Sequence, residues 1–222
     1  MQTPIALLKF AEIKYLEDSI NNNYLFFNKI EYFSNKEKED YRFDSYEGAD
    51  EIIQSNQIKK LLINDREFDL APKSSPVKIF YGNNENFTHI CCLSLIYNSA
   101  IEIENKQRIF NPKLFEFGDS FLICLKISEL LTNIDVICKT HPNIIKWKID
   151  TVEYVDLKNY NGSWDVFHKP ENYAYQTELR IALQMNIAST FKFNIPNLDT
   201  YFFKTIKKEN CKNKIENGTA YF

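Results

Sequence analysis

Apolar residues in this 222-residue chain fall mostly in short runs separated by turn-forming clusters, and over 144–155, 177–185 and 191–195 they recur at every second position. Only two segments carry them at helical spacing. Period two buries one face of a strand, whereas spacings of three and four bury one stripe of a helix. Strands are therefore expected at 5–10, 24–27, 52–53, 58–63, 67–70, 77–81, 88–96, 120–126, 144–155, 177–185 and 191–195. The run at 88–96 is apolar almost throughout, as a central strand covered on both faces requires. Helices are expected over 12–22, where Ile13, Leu16 and Ile20 share a side, and over 128–136, with Ser128 as N-cap. The strands of 51–70 read as a meander turning at Asn64-Asp65. Strands that outnumber helices without alternating with them point to an α+β fold, a strand-rich mixed sheet core with a few flanking helices.

A chain of this length fits a single domain over residues 1–222, with 205–222 as a candidate peripheral tail. The 18 Phe and 13 Tyr must supply core volume that Leu and Val supply elsewhere. Only 5 Gly argues against a glycine-rich phosphate loop. A net charge of -3 predicts no general nucleic-acid affinity, and the Lys-rich stretch 207–214 reads as a solvated tail. Five cysteines, with no CxxC, read as free thiols in a reducing compartment. Cys91 and Cys92 should point to opposite faces of their strand. Three scattered histidines give no metal-ligand spacing, so no metal site is expected. The N-terminus has no basic segment ahead of an apolar run, and no run is long enough to span a bilayer. A cytoplasmic protein without membrane contact is the expectation.

Four places could carry chemistry. In Tyr175-Gln176-Thr177-Glu178-Leu179-Arg180, period two puts Gln176, Glu178 and Arg180 on one strand face and Leu179 on the other. The carboxylate could stabilise a developing cation while the amide orients a nucleophile; the alternative is an exposed polar face with an ordinary Glu178–Arg180 pair. Segment 40–48 sets Arg42, Asp44 and Glu47 among aromatic rings including Tyr46. That combination could grip a phosphate and stack a base, or form a self-paired surface turn. Ser94, late in the apolar strand, could floor a pocket. Lys9 precedes the first helix, whose N-terminus could help it bind an anion. His168 falls just before the Gln-Thr-Glu segment and reads as structural.

The Gln176-x-Glu178 strand resembles the Gln-x-Glu motif of the arginine–serine–glutamate class of ADP-ribosyltransferases. The order Lys9, Ser94, Glu178 is similar to that family's Arg, Ser, Glu order. Lys9 stands where the family has arginine, with Arg42 as a candidate substitute, and Leu93-Ser94-Leu95 keeps one serine of the family's Ser-Thr-Ser. The segments Leu8-Lys9-Phe10, Tyr24-Leu25-Phe26, Arg42-x-Asp44-x-x-Glu47-Gly48, Cys92-Leu93-Ser94, Phe117-Gly118-Asp119 and Tyr175-Gln176-x-Glu178-x-Arg180 also resemble a diffuse group of uncharacterised bacterial proteins, some associated with phage or defence loci. The first resemblance implies NAD as cosubstrate and a macromolecular acceptor, in a toxin or phage-conflict effector. Glu178 would stabilise the ribosyl cation and Gln176 orient the acceptor. Lys9 and Arg42 would hold the diphosphate, Ser94 would line the nicotinamide pocket, and Asp44 and Glu47 would position Arg42 or contact ribose. On that reading Glu178→Gln abolishes turnover without changing the melting temperature. Two alternatives stand beside it. One is a metal-dependent nuclease with Asp44, Glu47 and Glu178 as ligands. The other is a non-enzymatic nucleotide- or protein-binding protein, such as an inhibitor or immunity factor.

Overall fold

The computed structural model describes residues 2–34, 44–58, 60–68, 75–81, 87–99, 108–216 and 219–222. Among these the chain runs β1 (Pro4–Ala11), α1 (Ile13–Asn21), β2 (Tyr24–Lys29), α2 (Ile30–Ser34), β3 (Glu51–Ile53), β4 (Leu61–Ile63), β5 (Arg66–Phe68), β6 (Val77–Ile79), β7 (Phe87–Tyr97), β8 (Ser120–Cys124), α3 (Ile127–Thr140), β9 (Ile144–Thr151), β10 (Glu153–Val155), β11 (Gly162–Ser163), β12 (His168–Pro170), β13 (Glu178–Met185), β14 (Phe191–Asn194), β15 (Phe202–Lys207), β16 (Lys214–Glu216) and β17 (Thr219–Tyr221). The chain adopts the expected α+β class. Among the described residues no helix is long and apolar enough to cross a membrane.

Eight strands share one sheet, and β7 is its hub. Along one edge β7 pairs with β13, from Glu178↔Ser94 to Met185↔Phe87, and β9 lies beyond β13. Two strands share the other edge. β2 meets it at Asn28↔Ile90 and Lys29↔His89, and β1 meets it from Leu8↔Ser94 to Pro4↔Tyr97. From there β1 continues to β8 and β15, while β2 continues to β14. The sheet therefore forks, and residues 91–93 of β7 face the gap where β1 and β2 part. These ladders are antiparallel; among the described residues parallel pairing is confined to β10 and β12.

One face of the sheet is covered by α1 and α3. Cys91, Leu93 and Leu95 of β7 and Leu179, Ile181 and Leu183 of β13 pack there with Leu16, Leu130 and Ile134. Leu130, Ile134 and Cys138 recur every four residues, the stripe that lets α3 bury one side. The opposite face carries two separate clusters. Near β1 and β8 the rings of Phe10, Phe110, Phe115 and Phe121 meet, with centroids 5.1 Å apart for Phe10–Phe121 and 6.0 Å for Phe115–Phe121. Near β2 and β13, Ile30, Ile90, Phe167 and Ala182 pack together. Between these clusters the face is polar.

Several local expectations change. β3 pairs with β6 and β11, apart from the β4–β5 hairpin, so 51–70 is not a meander. The hairpin turn is where the sequence put it: Asn64 and Asp65 have φ of 48° and 62°, the left-handed pair of a tight two-residue turn. α3 begins at Ile127 after Lys126, which makes no side-chain cap, so Ser128 lies inside the helix. The strand expected over 144–155 breaks at Val152, whose N–H donates to the Glu178 carbonyl at 2.9 Å. At the C-terminus β15 pairs with β8, and Ile215, Ala220 and Phe222 pack on the phenylalanine cluster.

Candidate functional site

β13 opens at an unusual residue. Thr177 takes a left-handed conformation, φ 42°, between the 3-10 turn Glu171–Gln176 and Glu178. A β-branched residue disfavours that conformation. Leu95 holds it there: Thr177 Oγ1 donates to the Leu95 carbonyl and the Leu95 N–H donates to the Thr177 carbonyl, each at 2.8 Å. Beyond the kink, alternation sends Leu179 and Ile181 to the helix-covered core and Glu178 and Arg180 to the polar strip. Register then sets Ser94 opposite Glu178 and Cys92 opposite Arg180.

The strip is a buried ion network. Arg180 Nε donates to Glu178 Oε1 at 2.6 Å, and Arg180 Nη1 donates to Glu47 Oε2 at 3.1 Å. The guanidinium also donates to Glu47 Oε1 and to the Val166 carbonyl. From β12, Lys169 Nζ donates to Glu178 Oε2 at 2.7 Å and to Gln176 Oε1 at 2.8 Å. The side chains of Arg180, Glu47, Glu178 and Lys169 are 1%, 2%, 4% and 8% exposed, so each charge depends on its partner rather than on water. The polar strand face is therefore not the exposed one that the sequence alternative described. Burial pushes the Glu178 carboxyl up, but the Arg180 guanidinium and then Lys169 outweigh it and hold the group well below the usual carboxylate range. Asp44 goes the other way. Burial, and then Glu47, push it to about 6. Its Oδ1 accepts the Tyr46 N–H at 2.9 Å, and its Oδ2 has no hydrogen-bond partner among the described residues. Burial and then Glu178 raise the Cys92 thiol far above the range of a nucleophile.

A cleft of about 560 Å³ opens beside this network and runs through the fork of the sheet. Tyr15 of α1, Phe26 of β2 and Tyr32 of α2 wall it, and Lys9, Ser94, Lys169, Gln176 and Glu178 line its depth. Four of the residues singled out in the sequence thus converge. Lys9 points into the fork, where its Nζ donates to the Cys92 carbonyl at 3.0 Å and lies 3.7 Å from Cys91 Sγ. It does not serve the N-terminus of α1, where Ile13 N–H donates to Asp119 Oδ1 at 2.9 Å. Asp44 and Glu47 are buried but do not line the cleft; Glu47 grips Arg180 from behind. Tyr46 lies elsewhere, 5.8 Å from the Trp164 ring and under Lys78 at 4.9 Å. Arg42 lies outside the described residues. His168 turns away, with Nδ1 2.8 Å from Asp165 and its ring 5.5 Å from Trp164. Cys91 and Cys92 do face opposite sides of β7, and all five cysteines are free.

Sequence reasoning missed Lys169 and Tyr154, whose hydroxyl accepts the Glu178 N–H at 2.9 Å. For Lys169 a signal existed. A buried Gln-x-Glu-x-Arg face carries an acid that Arg180 shares with Glu47, and Lys169 is the cation just upstream. Among the described residues no group of three or more His, Cys, Asp or Glu is placed to hold a metal ion. Comparison of the chain with protein-family models, curated proteins and solved structures gives no match.

Proposed function

We propose that this cleft binds an NAD-like dinucleotide and transfers its ADP-ribosyl group to an acceptor. The observation that carries the reading is convergence: Lys9 from the first strand, Ser94 from the hub strand, Gln176 from the turn before β13 and Glu178 from its start line one aromatic-walled cleft. Its volume falls in the range of small-molecule sites, roughly 300–1,000 Å³. Tyr15 and Phe26 offer flat faces to a base, and the Lys9 ammonium offers charge to a diphosphate.

Glu178 is ionised and oriented from both sides by cations, yet each carboxylate oxygen keeps a lone pair beyond those contacts. It would accept a ribose hydroxyl and stabilise positive charge as the bond from C1′ to the nicotinamide nitrogen breaks. The bonding pair leaves with nicotinamide, which departs neutral. The acceptor's nucleophilic atom then bonds to C1′ and its proton passes to water. A second reading has its own support: with both Glu178 oxygens already engaged by cations, the same cleft suits a protein that binds a nucleotide without turning it over. The nuclease reading gains no such support, because Glu47 and Glu178 spend their oxygens on Arg180 and Lys169.

Calorimetric titration with NAD beside a chromatographic assay for free nicotinamide separates the readings. Binding with release supports transfer, and binding without release leaves the second reading. Absence of both overturns both. Lys9→Gln is expected to weaken NAD binding about tenfold, the worth of one charge-assisted hydrogen bond.

A further inference from the structure

Lys169 belongs to no motif, yet it lines the cleft and its ammonium bonds both Gln176 and Glu178. It stands on β12 and only 7% of the residue is exposed. A lysine is buried to that degree only when its charge is met. An ammonium has three donors and no lone pair, so the Gln176 atom 2.8 Å from it must be the carbonyl oxygen. That contact settles which end of the amide faces which way, a choice that side-chain shape alone leaves open. With Oε1 turned to Lys169, the Gln176 NH2 is left for the cleft; the Tyr175 hydroxyl, at 3.5 Å, is a marginal contact for it.

We propose that Lys169 is the positioning residue of this cleft, clamping the Gln176 carbonyl and the Glu178 carboxylate together so that the Gln176 NH2 is presented to the ligand as a donor beside the Glu178 acceptor. Side by side, a donor and an acceptor match a group that offers both, such as a carboxamide or a ribose diol, in preference to a bare anion. This inference rests on the dinucleotide reading for its ligand, since NAD carries both groups, but the clamp is testable without it. Gln176 then orients an incoming acceptor by donating to it, never by taking its proton.

The groups facing Glu178 are Arg180 on its own strand, Lys169 on β12, Cys92 on β7 and Tyr154 on β10. Of these only Arg180 and Lys169 bring positive charge, so removing Lys169 leaves burial opposed by one cation. The test is carbon NMR of labelled glutamate in the full chain, following Glu178 through an acid titration, together with NAD affinity by calorimetry. In the wild type Glu178 stays ionised to the lowest pH at which the chain is folded. In Lys169→Met Glu178 takes up its proton within the pH range in which the chain is folded, and NAD binding weakens about tenfold. Gln176→Met weakens binding similarly, and the double variant is no weaker than either single one, because the two residues act as a unit. A Glu178 that stays ionised across the folded range of Lys169→Met, or additive losses, overturns the proposal. If Lys169→Met does not fold, Lys169→Arg takes its place. The guanidinium keeps the charge but cannot reproduce the ammonium's geometry, so the midpoint stays low while NAD affinity falls; undiminished affinity overturns the clamp. If the wild type binds no NAD, the dinucleotide reading fails and the Glu178 midpoint still decides the role of Lys169.

Discussion

Two buried acids, Asp44 and Glu178, respond to pH in opposite senses. Asp44 in the folded chain keeps its proton to about 6, against 3.8 for the free side chain. The fold binds that proton more tightly than the unfolded chain does. Its contribution is therefore full below the ordinary value and is lost as pH rises through about 6. A gap of about two pH units is worth roughly 3 kcal/mol. Asp44→Asn keeps the acceptor for the Tyr46 N–H and removes the charge. Calorimetry should show its melting temperature above wild type by about 6–12 °C at pH 8 and by about a third of that at pH 4.5; equal shifts at both pH values would rule out this account. Glu178, held low, contributes above its ordinary value and loses that contribution as pH falls. Glu178→Gln leaves Lys169 without a counter-charge and Arg180 with Glu47 alone, and should lose roughly 3–5 kcal/mol in urea unfolding at pH 7. The sequence-based expectation of an unchanged melting temperature is thereby replaced, since period-two alternation shows which way a side chain points but not whether two cations wait there. An unaltered urea midpoint would mean that the network carries no stability.

At the scale of elements, the junction of β1, α1 and β8 depends on a turn. Glu12 gives α1 no side-chain cap, and Asp119 supplies the acceptor for Ile13 N–H from the turn before β8. Asp119→Ala should cost about 1 kcal/mol and speed hydrogen exchange in the first turn of α1. Next to it, a Cβ on Gly118 would lie 2.0 Å from the Ala11 carbonyl carbon. Backbone cannot yield as a side-chain tip can, so Gly118→Ala should cost about 3 kcal/mol and exceed Asp119→Ala in thermal melts; the reverse order would contradict this packing. Where local chemistry decides an element, the sequence was readable, as at Asn64-Asp65 and in the stripes of α1 and α3. Where a distant segment decides it, the sequence was silent. Nothing in Thr177 announces a left-handed residue, because Leu95 imposes it from another strand.

Across the whole molecule, most of the sheet is assembled from remote partners: β1 with β7, β7 with β13, and β2 with β14. Such topology predicts slow folding, in milliseconds to seconds or longer. In native-state hydrogen exchange the β7 and β13 amides should be the last to exchange, while the isolated β4–β5 hairpin exchanges early. Faster exchange in β7 than in the hairpin would contradict the hub. The same remoteness explains what was legible of the cleft. Lys9, Ser94, Gln176 and Glu178 could be picked by residue type, although Gln176 closes a 3-10 turn and is not on the strand face expected of it. That Ser94 lies across from Glu178 depends on a register between segments far apart in sequence, and that Lys169 reaches both Gln176 and Glu178 depends on where the pairing with β10 sets β12. At the gap in the hub strand's edge, the Cys92 carbonyl is sealed by Lys9 in place of a neighbouring strand's amide. An amide in a ladder cannot let go without unzipping its neighbours, whereas a lysine is a latch on its own hinge. It can swing toward an arriving guest by side-chain rotation alone, with every ladder intact. The carbonyl it deserts then needs a new donor, so the guest that fits must both attract the lysine and replace it.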